Sequence, residues 1–238
     1  MNNRQLARLL LLRTANREAM MLLLTVVAIA LAAGSALKSP TVQADPVTVR
    51  LLVGIPGLIF GGLVVACPVL VVRLIASDRA SGWTAAVFAA RGSAVTYIVM
   101  LVAGITGFAA AVHAGASSAF RLGAGDFGMD ATARAVSGIL GLGALSMYAA
   151  LLSILLYDPA RTTFAMLVLW LGPLGLAFWL VVMKGLPEPP TWLRVLLATV
   201  PPVRPSPHLT TALFQGAYVA LVSALVVAFA PRRLPVWR

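Results

Sequence analysis

Apolar residues form six long runs that are separated by short polar stretches. The runs occupy residues 19–37, 51–72, 92–114, 135–157, 162–182 and 210–230. A helix of about 20 residues crosses the hydrocarbon core of a bilayer. Helices are favoured because unpaired backbone groups in lipid cost several kcal/mol each, and the alternating pattern of a membrane barrel is missing. The pattern predicts an all-α, polytopic membrane helical bundle with six transmembrane helices.

Three segments outside these runs have patterns of their own. Residues 1–18 repeat Leu and Arg at near-helical spacing, which is typical of an amphipathic elbow helix in the membrane interface. Residues 184–208 hold a short apolar run between proline clusters, which predicts an outer re-entrant or interfacial segment. Residues 73–91 begin with charges and a Ser-Gly break yet keep an apolar face, so we expect a partner to dock there. All three belong to one integral membrane domain over residues 1–238.

Small residues and prolines inside the runs predict how the helices pack. Gly57 with Gly61, and the stretch "SGILGLGALS" from Ser137, place small residues at helical spacing, which allows helices to approach closely. The prolines at 56, 68 and 173 are expected to bend their helices, because proline removes a backbone hydrogen bond. Cys67 lies within the second run, where a buried, inert thiol is expected.

Composition and charge agree with a membrane protein and indicate its orientation. Hydrophobic residues make up 61% of the chain, and charged residues only 11%. The net charge of +11 comes from residues that flank the apolar runs, so membrane lipid is the expected partner and nucleic acid is not. Arginines are densest before the first run and recur after the last. The positive-inside rule therefore predicts a multi-pass protein of a prokaryotic cell membrane with both termini in the cytoplasm.

The first apolar run also has features of a signal peptide. It ends in small residues, so cleavage near Ala36 is an alternative to an uncleaved first helix. The long polar lead and the full spanning length of the run favour the uncleaved helix.

The sequence lacks the groups that drive transport or catalysis within one chain. All acidic residues lie at the ends of runs or between them: Glu18, Asp45, Asp78, Asp126, Asp130, Asp158 and Glu188. Proton-coupled or sodium-coupled carriers usually keep an ionisable group at mid-membrane, so a self-powered carrier is disfavoured. The zinc-binding motif HExxH, the nucleophile motif GxSxG and the phosphate-binding P-loop are all missing from the sequence. "GAGDFG" from Gly123 lacks the βαβ context of a dinucleotide site. We expect no enzyme activity and no cofactor, and predict that His113 and His208 are interfacial rings rather than metal ligands.

The stretch "SDRASGWTAAVFAARGSAVTYIVM" after the second run resembles the cytoplasmic connection of ABC-2 type transporter permeases. In that family an acidic-basic pair and a Ser/Thr-Gly break precede a short apolar coupling helix, and Asp78, Arg79, Ser81 and Gly82 match those positions. The elbow, the six spans and the re-entrant segment are similar in plan. The chain has "AARGS" where the family often has a proline. The B-type permeases of haem exporters share the same plan.

The resemblance implies that residues 73–91 dock into a groove on a separate ATPase subunit. The implied coupling residues are Asp78, Arg79, Ser81, Gly82, Trp83, Val87, Phe88 and Arg91. With Ser81 as N-cap, Trp83 and Val87 share one helix face, with Phe88 close by. On this interpretation Trp83 stands clear of the spanning helices. The alternative is that Trp83 anchors an interfacial helix at the lipid headgroups.

The expected function is that of the membrane-spanning permease subunit of an ATP-driven ABC exporter. The resemblance implies an ABC ATPase subunit as partner and a homodimer or a heterodimer with a related permease. The uncharged interior of the bundle fits an apolar or amphipathic substrate. The alternatives are a non-transport membrane scaffold or assembly factor, and an enzyme acting on lipids, which the missing catalytic residues disfavour most.

Overall fold

The computed structural model describes residues 17–84, 93–125, 130–185, 188–201, 203, 206 and 208–233. Of these residues 89% are helical and none lies in a strand. Within this part of the chain, six helices are long and apolar enough to cross a membrane. They are α1 (Arg17–Ala36), α2 (Pro46–Ala80), α3 (Ala94–Ala124), α4 (Asp130–Leu156), α5 (Pro159–Met183) and α6 (Leu209–Arg233). The predicted all-α membrane fold with six spans is confirmed.

Polar residues between the apolar runs begin and end these helices. Asp45 is the N-cap of α2, where its side chain accepts a hydrogen bond from the Val47 N–H at 3.0 Å, and Asp158 caps α5 in the same way. In both helices a proline takes the first position, where its missing N–H costs nothing. Helix α3 ends at Gly125, which has φ 79°, and the Gly125 N–H donates to the Arg121 carbonyl at 2.7 Å. This left-handed conformation favours glycine.

Two helices extend well beyond the runs that predicted them. Helix α2 has 35 residues and α3 has 31, lengths of roughly 52 Å and 46 Å at 1.5 Å per residue. Both exceed the roughly 30 Å of the hydrocarbon core. Residues 73–80 of the predicted insert therefore belong to the last turns of α2 instead of a separate element. The polar stretch 38–50, between the first two apolar runs, contains a helical turn, Pro40–Gln43, and the start of α2.

Helix α4 is the centre of the bundle. It contacts α2, α3, α5 and α6, and 61% of its most apolar window is buried inside the chain. For α5 the corresponding share is 17%, and most of its apolar side chains face outward. The core is formed mainly by fully buried side chains of α2, α3 and α4, such as Ile75, Leu101 and Leu142.

Helix α1 packs mainly against α3, and their backbones meet at two glycines. A Cβ added to Gly34 would lie 1.9 Å from the Phe120 carbonyl oxygen, and one added to Gly123 would lie 2.6 Å from that of Leu31. Any side chain at either position would push the two backbones apart. The contact between α1 and α3 therefore depends on glycine at both positions.

The predicted contact at Gly57 and Gly61 is not formed within the chain. An added Cβ at either position meets no described atom within 4 Å. Gly138, in the second predicted stretch, does lie against neighbours, with His113 Nε2 3.0 Å from an added Cβ. Gly57 lines a cavity between α2, α3 and α4 instead, so a role for these two glycines in close helix packing stays a prediction.

Helix α5 departs from regular α geometry next to its proline. Leu167–Leu171 and Trp179–Met183 form π-helical turns on either side of the α-helical stretch Gly172–Phe178. Pro173 has no N–H to donate, and the first π turn directly precedes it. Such turns occur where the regular hydrogen-bond pattern of a helix is interrupted.

The segment between α5 and α6 contains a short helix, Thr191–Ala198, that contacts α5. Leu193 is buried while Trp192 is exposed, so the helix has an inner and an outer face. Its re-entrant position in a membrane stays a prediction. Of the predicted elbow, residues 17 and 18 begin α1, and residues 1–16 lie outside the described part of the chain.

Candidate functional site

The last turn of α2 directs Asp78 into the bundle. Asp78 is 1% exposed, and the hydroxyl of the fully buried Tyr97 donates to its Oδ2 at 2.6 Å. A buried acceptor that loses its hydrogen-bond donor costs about 1–3 kcal/mol, so this bond stabilises the fold. The bond ties the end of α2 to the first turn of α3. The prediction of an acidic residue at the end of a span is confirmed, but this one is buried.

The neighbouring residue, Arg79, binds the end of α4. Its Nη1 donates to the Ser153 carbonyl at 3.0 Å and to the Tyr157 carbonyl at 3.4 Å. The guanidinium also lies over the Tyr157 ring, 4.8 Å from its centroid. Carbonyls in the last turn of a helix lack partners within the helix, and a cation there interacts favourably with the helix dipole. Arg79 therefore caps α4 from a different helix.

The contact between Arg79 and Tyr157 has two unusual features. Tyr157 has φ 61°, in the left-handed region that non-glycine residues rarely adopt. Neither Nε nor Nη2 of Arg79, both buried, has a hydrogen-bond partner within the part of the chain that the structure describes. The arginine therefore keeps donors that α4 does not use.

A tight turn follows α2. Gly82 has φ 71°, a conformation that glycine adopts without strain. Ser81 is the C-cap of α2, and its hydroxyl donates to the Asp78 carbonyl at 3.4 Å. We expected Ser81 to be the N-cap of the insert helix. Ser81 therefore ends α2, and its role as N-cap of the insert helix stays a prediction, because residues 85–92 lie outside the described part of the chain.

Trp83 packs inside the chain. Its ring centroid lies 6.0 Å from that of Tyr97 at an interplanar angle of 44°, and its partly buried side chain contacts the main core. The expectation that Trp83 stands clear of the spans was wrong, because the turn at residues 81–82 brings it over the first turn of α3. Its role in coupling stays a prediction. Val87, Phe88 and Arg91 lie outside the described residues.

Asp78, Arg79 and Trp83 therefore belong to one cluster, which we name the α2 clamp together with Tyr97. The clamp joins α2 to α3 through Asp78 and Trp83 and to α4 through Arg79. The sequence marked three of these four residues by their resemblance to a family motif. Tyr97 was missed, and its only sequence signal is a hydroxyl near the start of an apolar run.

The histidines differ in their surroundings. His113 is 7% exposed, and its ring lies 4.8 Å from that of Phe60 between centroids. The interfacial position predicted for His113 was wrong, because α3 continues to Ala124 and places the ring inside the bundle. His208 is exposed just before α6. The described residues contain no cluster of His, Cys, Asp or Glu suited to a metal ion. Cys67 is buried, as predicted.

A second buried polar contact joins α4 to α6. The Ser137 hydroxyl donates to Gln215 Oε1 at 2.9 Å, and the Ser206 N–H donates to the Ser137 oxygen at 3.1 Å. Gln215 is fully buried near the start of α6. Gln215 was not predicted as a contact residue. A glutamine within an apolar run was the available signal, since a polar side chain is costly in lipid unless it is paired.

Two cavities lie between the spans. One of about 440 Å³ lies beside Tyr148 on α4 and Tyr218 on α6, with an otherwise largely apolar lining. The other, of about 540 Å³, lies between α2, α3 and α4 and is lined in part by His113 and Arg121. Both volumes fall within the range of small-molecule sites, roughly 300–1,000 Å³.

Comparison with protein-family models, with curated proteins and with solved structures finds no match for this chain. The chain is thus a helical membrane protein with six candidate spans, a clamp at the end of α2 and two cavities between its helices.

Proposed function

We propose that this protein is the membrane-spanning permease subunit of an ATP-driven ABC exporter. A separate ATPase subunit binds the connection after α2, and the complex moves an apolar or amphipathic substrate. The observation that carries the proposal is the α2 clamp. It ties the start of this connection to three spans through Asp78, Arg79 and Trp83.

The clamp gives a physical route for coupling. A partner that pulls on residues 81–92 moves the end of α2, and the bonds from Asp78 and Arg79 pass that movement to α3 and α4. Small shifts at a bound partner become larger rearrangements when packed helices move as rigid bodies. A loose connection would absorb the same movement. The clamp therefore suits a coupling segment better than a simple link between spans.

The proposed complex contains two permease subunits, identical or related, each with one ATPase. Both termini of the chain and the connection after α2 lie on the cytoplasmic side of a prokaryotic cell membrane, as the arginine distribution predicts. The cavities between the spans are large enough for an apolar or amphipathic molecule.

The test is a co-purification with a P-loop ATPase encoded beside this gene, followed by transport in proteoliposomes. The variant carries Val87→Ala and Phe88→Ala, the two apolar insert residues that follow Trp83. We expect roughly thirtyfold weaker association, because loss of an aromatic anchor at an interface costs about 2 kcal/mol. ATP-driven export should fall in parallel.

Phe164→Ala is the matched control, because Phe164 on α5 is 69% exposed and lies outside the insert. It should leave association unchanged. Equal recovery of the ATPase with the Val87/Phe88 variant would contradict the docking role of the insert. Absence of any ATPase from the wild-type complex, together with stable recovery of another membrane complex, would favour the scaffold function.

A further inference from the structure

The cavity between α2, α3 and α4 has two chemically different walls. It lies at the opposite end of the bundle from the α2 clamp, near the end of α3 and the start of α4. Helix α2 supplies an apolar wall through Val53, Pro56 and Phe60. Helices α3 and α4 supply the polar groups, so any occupant meets hydrocarbon on one side and hydrogen-bond donors on the other.

The polar wall follows one face of α3. His113, Ser117 and Arg121 are spaced four residues apart and line the cavity together, and Arg134 of α4 joins them. The three positions on α3 span about 12 Å along the helix. The lining therefore changes from a buried imidazole at one end to two guanidiniums at the other.

His113 has hydrogen-bonding capacity that the chain does not use. Its ring is buried and lines the cavity, and its Nδ1 has no hydrogen-bond partner among the described residues. A polar group left unpaired in a buried site lowers stability. Phenylalanine would fill the same space beside Phe60 and Gly138 without this cost.

We infer that this cavity binds an anionic amphiphile, a molecule with a phosphate or carboxylate group on a hydrocarbon chain. Arg121 and Arg134 hold the anion, since guanidinium groups match the geometry of phosphate and carboxylate. Both arginines also interact elsewhere in the chain, but each carries five N–H donors. The ring of His113 lines the deeper part of the cavity. This inference goes beyond the proposed function and does not depend on transport.

The apolar wall distinguishes an amphiphile from a small free anion. Inorganic phosphate would leave Val53, Pro56 and Phe60 in contact with water, whereas a hydrocarbon chain covers them. Val53 is 56% exposed on the outer surface of α2. The hydrocarbon chain of the amphiphile therefore has a path from the cavity into the surrounding lipid. The amphiphile comes either from the membrane, as an anionic phospholipid, or from solution.

Binding is measured by isothermal titration calorimetry of the full-length protein in dodecyl maltoside. The probes are dodecyl phosphate and inorganic phosphate, and a second series repeats the titration with phosphatidylglycerol or phosphatidylcholine in the micelles. We expect saturable binding of dodecyl phosphate and at least about tenfold weaker binding of inorganic phosphate. Competition by phosphatidylglycerol but not phosphatidylcholine identifies the membrane as the source. Unchanged binding with both lipids identifies an amphiphile from solution.

Two variants test the two walls separately. His113→Phe removes the imidazole with little change in volume, and Gly57→Leu fills the cavity from α2, where an added Cβ meets nothing within 4 Å. Each should weaken dodecyl phosphate binding about tenfold. Arg50→Gln is the control, because Arg50 is an exposed α2 residue that does not line the cavity. The affinity of this variant for dodecyl phosphate should stay within about twofold of the wild-type value.

Thermal unfolding and monodispersity in detergent show that the variants are folded. If His113→Phe fails to fold, Gly57→Leu still decides the question, because it alters no charged or hydrogen-bonding group. The inference is overturned if the folded variants bind dodecyl phosphate as the wild type does. It is also overturned if inorganic phosphate binds as tightly as dodecyl phosphate, or if the wild type shows no saturable binding.

Discussion

Charged residues at the two ends of the bundle are held in different ways. Where α2 ends, Asp78 and Arg79 bond to Tyr97 and to backbone carbonyls of α4, and the space around Arg79 is too small for a water molecule. At the other end, Arg121 and Arg134 line a cavity of about 540 Å³. A charge bonded to a neighbouring helix fixes how the two helices meet. A charge beside a cavity leaves room for another molecule. Similar residues at the ends of spans therefore serve packing at one end of the bundle and suit binding at the other.

The largest effect is expected from Tyr97→Phe, which removes the donor to Asp78 and keeps the ring against Trp83. The loss of this bond at a buried acceptor should lower the free energy of unfolding by about 1–3 kcal/mol. The measurement is unfolding by sodium dodecyl sulfate in mixed micelles, followed by circular dichroism.

Tyr148→Phe is the control for that measurement, because Tyr148 lines the cavity beside Tyr218 and does not belong to the clamp. It should change the unfolding free energy by less than about 0.5 kcal/mol. Equal effects of the two substitutions would remove the distinction between a clamp and ordinary packing.

Arg79→Gln should have an intermediate effect. It removes the cap on α4 and the contact with the Tyr157 ring, which together contribute about 1–2 kcal/mol. It also removes two buried nitrogens, Nε and Nη2, that have no hydrogen-bond partner among the described residues, which offsets part of the loss. We expect a net loss of about 1 kcal/mol in the same unfolding assay.

Arg50→Gln makes the same chemical change at the other end of α2, on an exposed residue. Its effect should stay within about 0.5 kcal/mol of zero. A loss as large as that of Arg79→Gln would show that position relative to the clamp does not matter.

The smallest effect concerns Asp45, the N-cap of α2 at the cavity end. Hydrogen bonds from the Thr48 hydroxyl and then the Val47 N–H hold the pKa of Asp45 below its ordinary value. The folded state therefore prefers the ionised carboxylate, and the resulting stability is present above the ordinary pKa and disappears as the pH falls through the lowered one. Asp45→Asn should be slightly less stable than wild type at pH 7, and the difference should shrink as the pH falls through the lowered pKa of Asp45. Melting temperatures of both proteins between pH 7 and pH 2.5 check this, and a difference that grows with acidity would contradict it.

The six spans could be predicted because crossing a bilayer requires an apolar run of sufficient length, a property of local sequence. The ends of α2 and α3 could not. Their final turns leave the hydrocarbon and contain polar residues, so hydropathy gives no signal there. This error also misplaced Trp83, because a separate insert was expected where α2 continues.

The contacts between spans required information that the sequence does not carry. Glycines occur at helical spacing in several runs, but only the arrangement of the helices decides that Gly34 meets α3 while Gly57 lines a cavity. The acid at Asp78 was recognised, yet its burial depends on Tyr97 from the next span. The cavity was not predicted either, since its lining comes from three helices.

The glycine contact between α1 and α3 has a consequence for the order of membrane insertion. The ribosome incorporates Gly34 89 residues before Gly123, its counterpart on α3. At synthesis rates of about 5–20 residues per second, α1 waits about 4–18 seconds for its main partner. During that interval α2 can offer it only a minor contact. Helix α1 must therefore remain in the bilayer by its own hydrophobicity, which fits its mean hydropathy of 2.3, and its docking onto α3 is a late event in the assembly of these six spans.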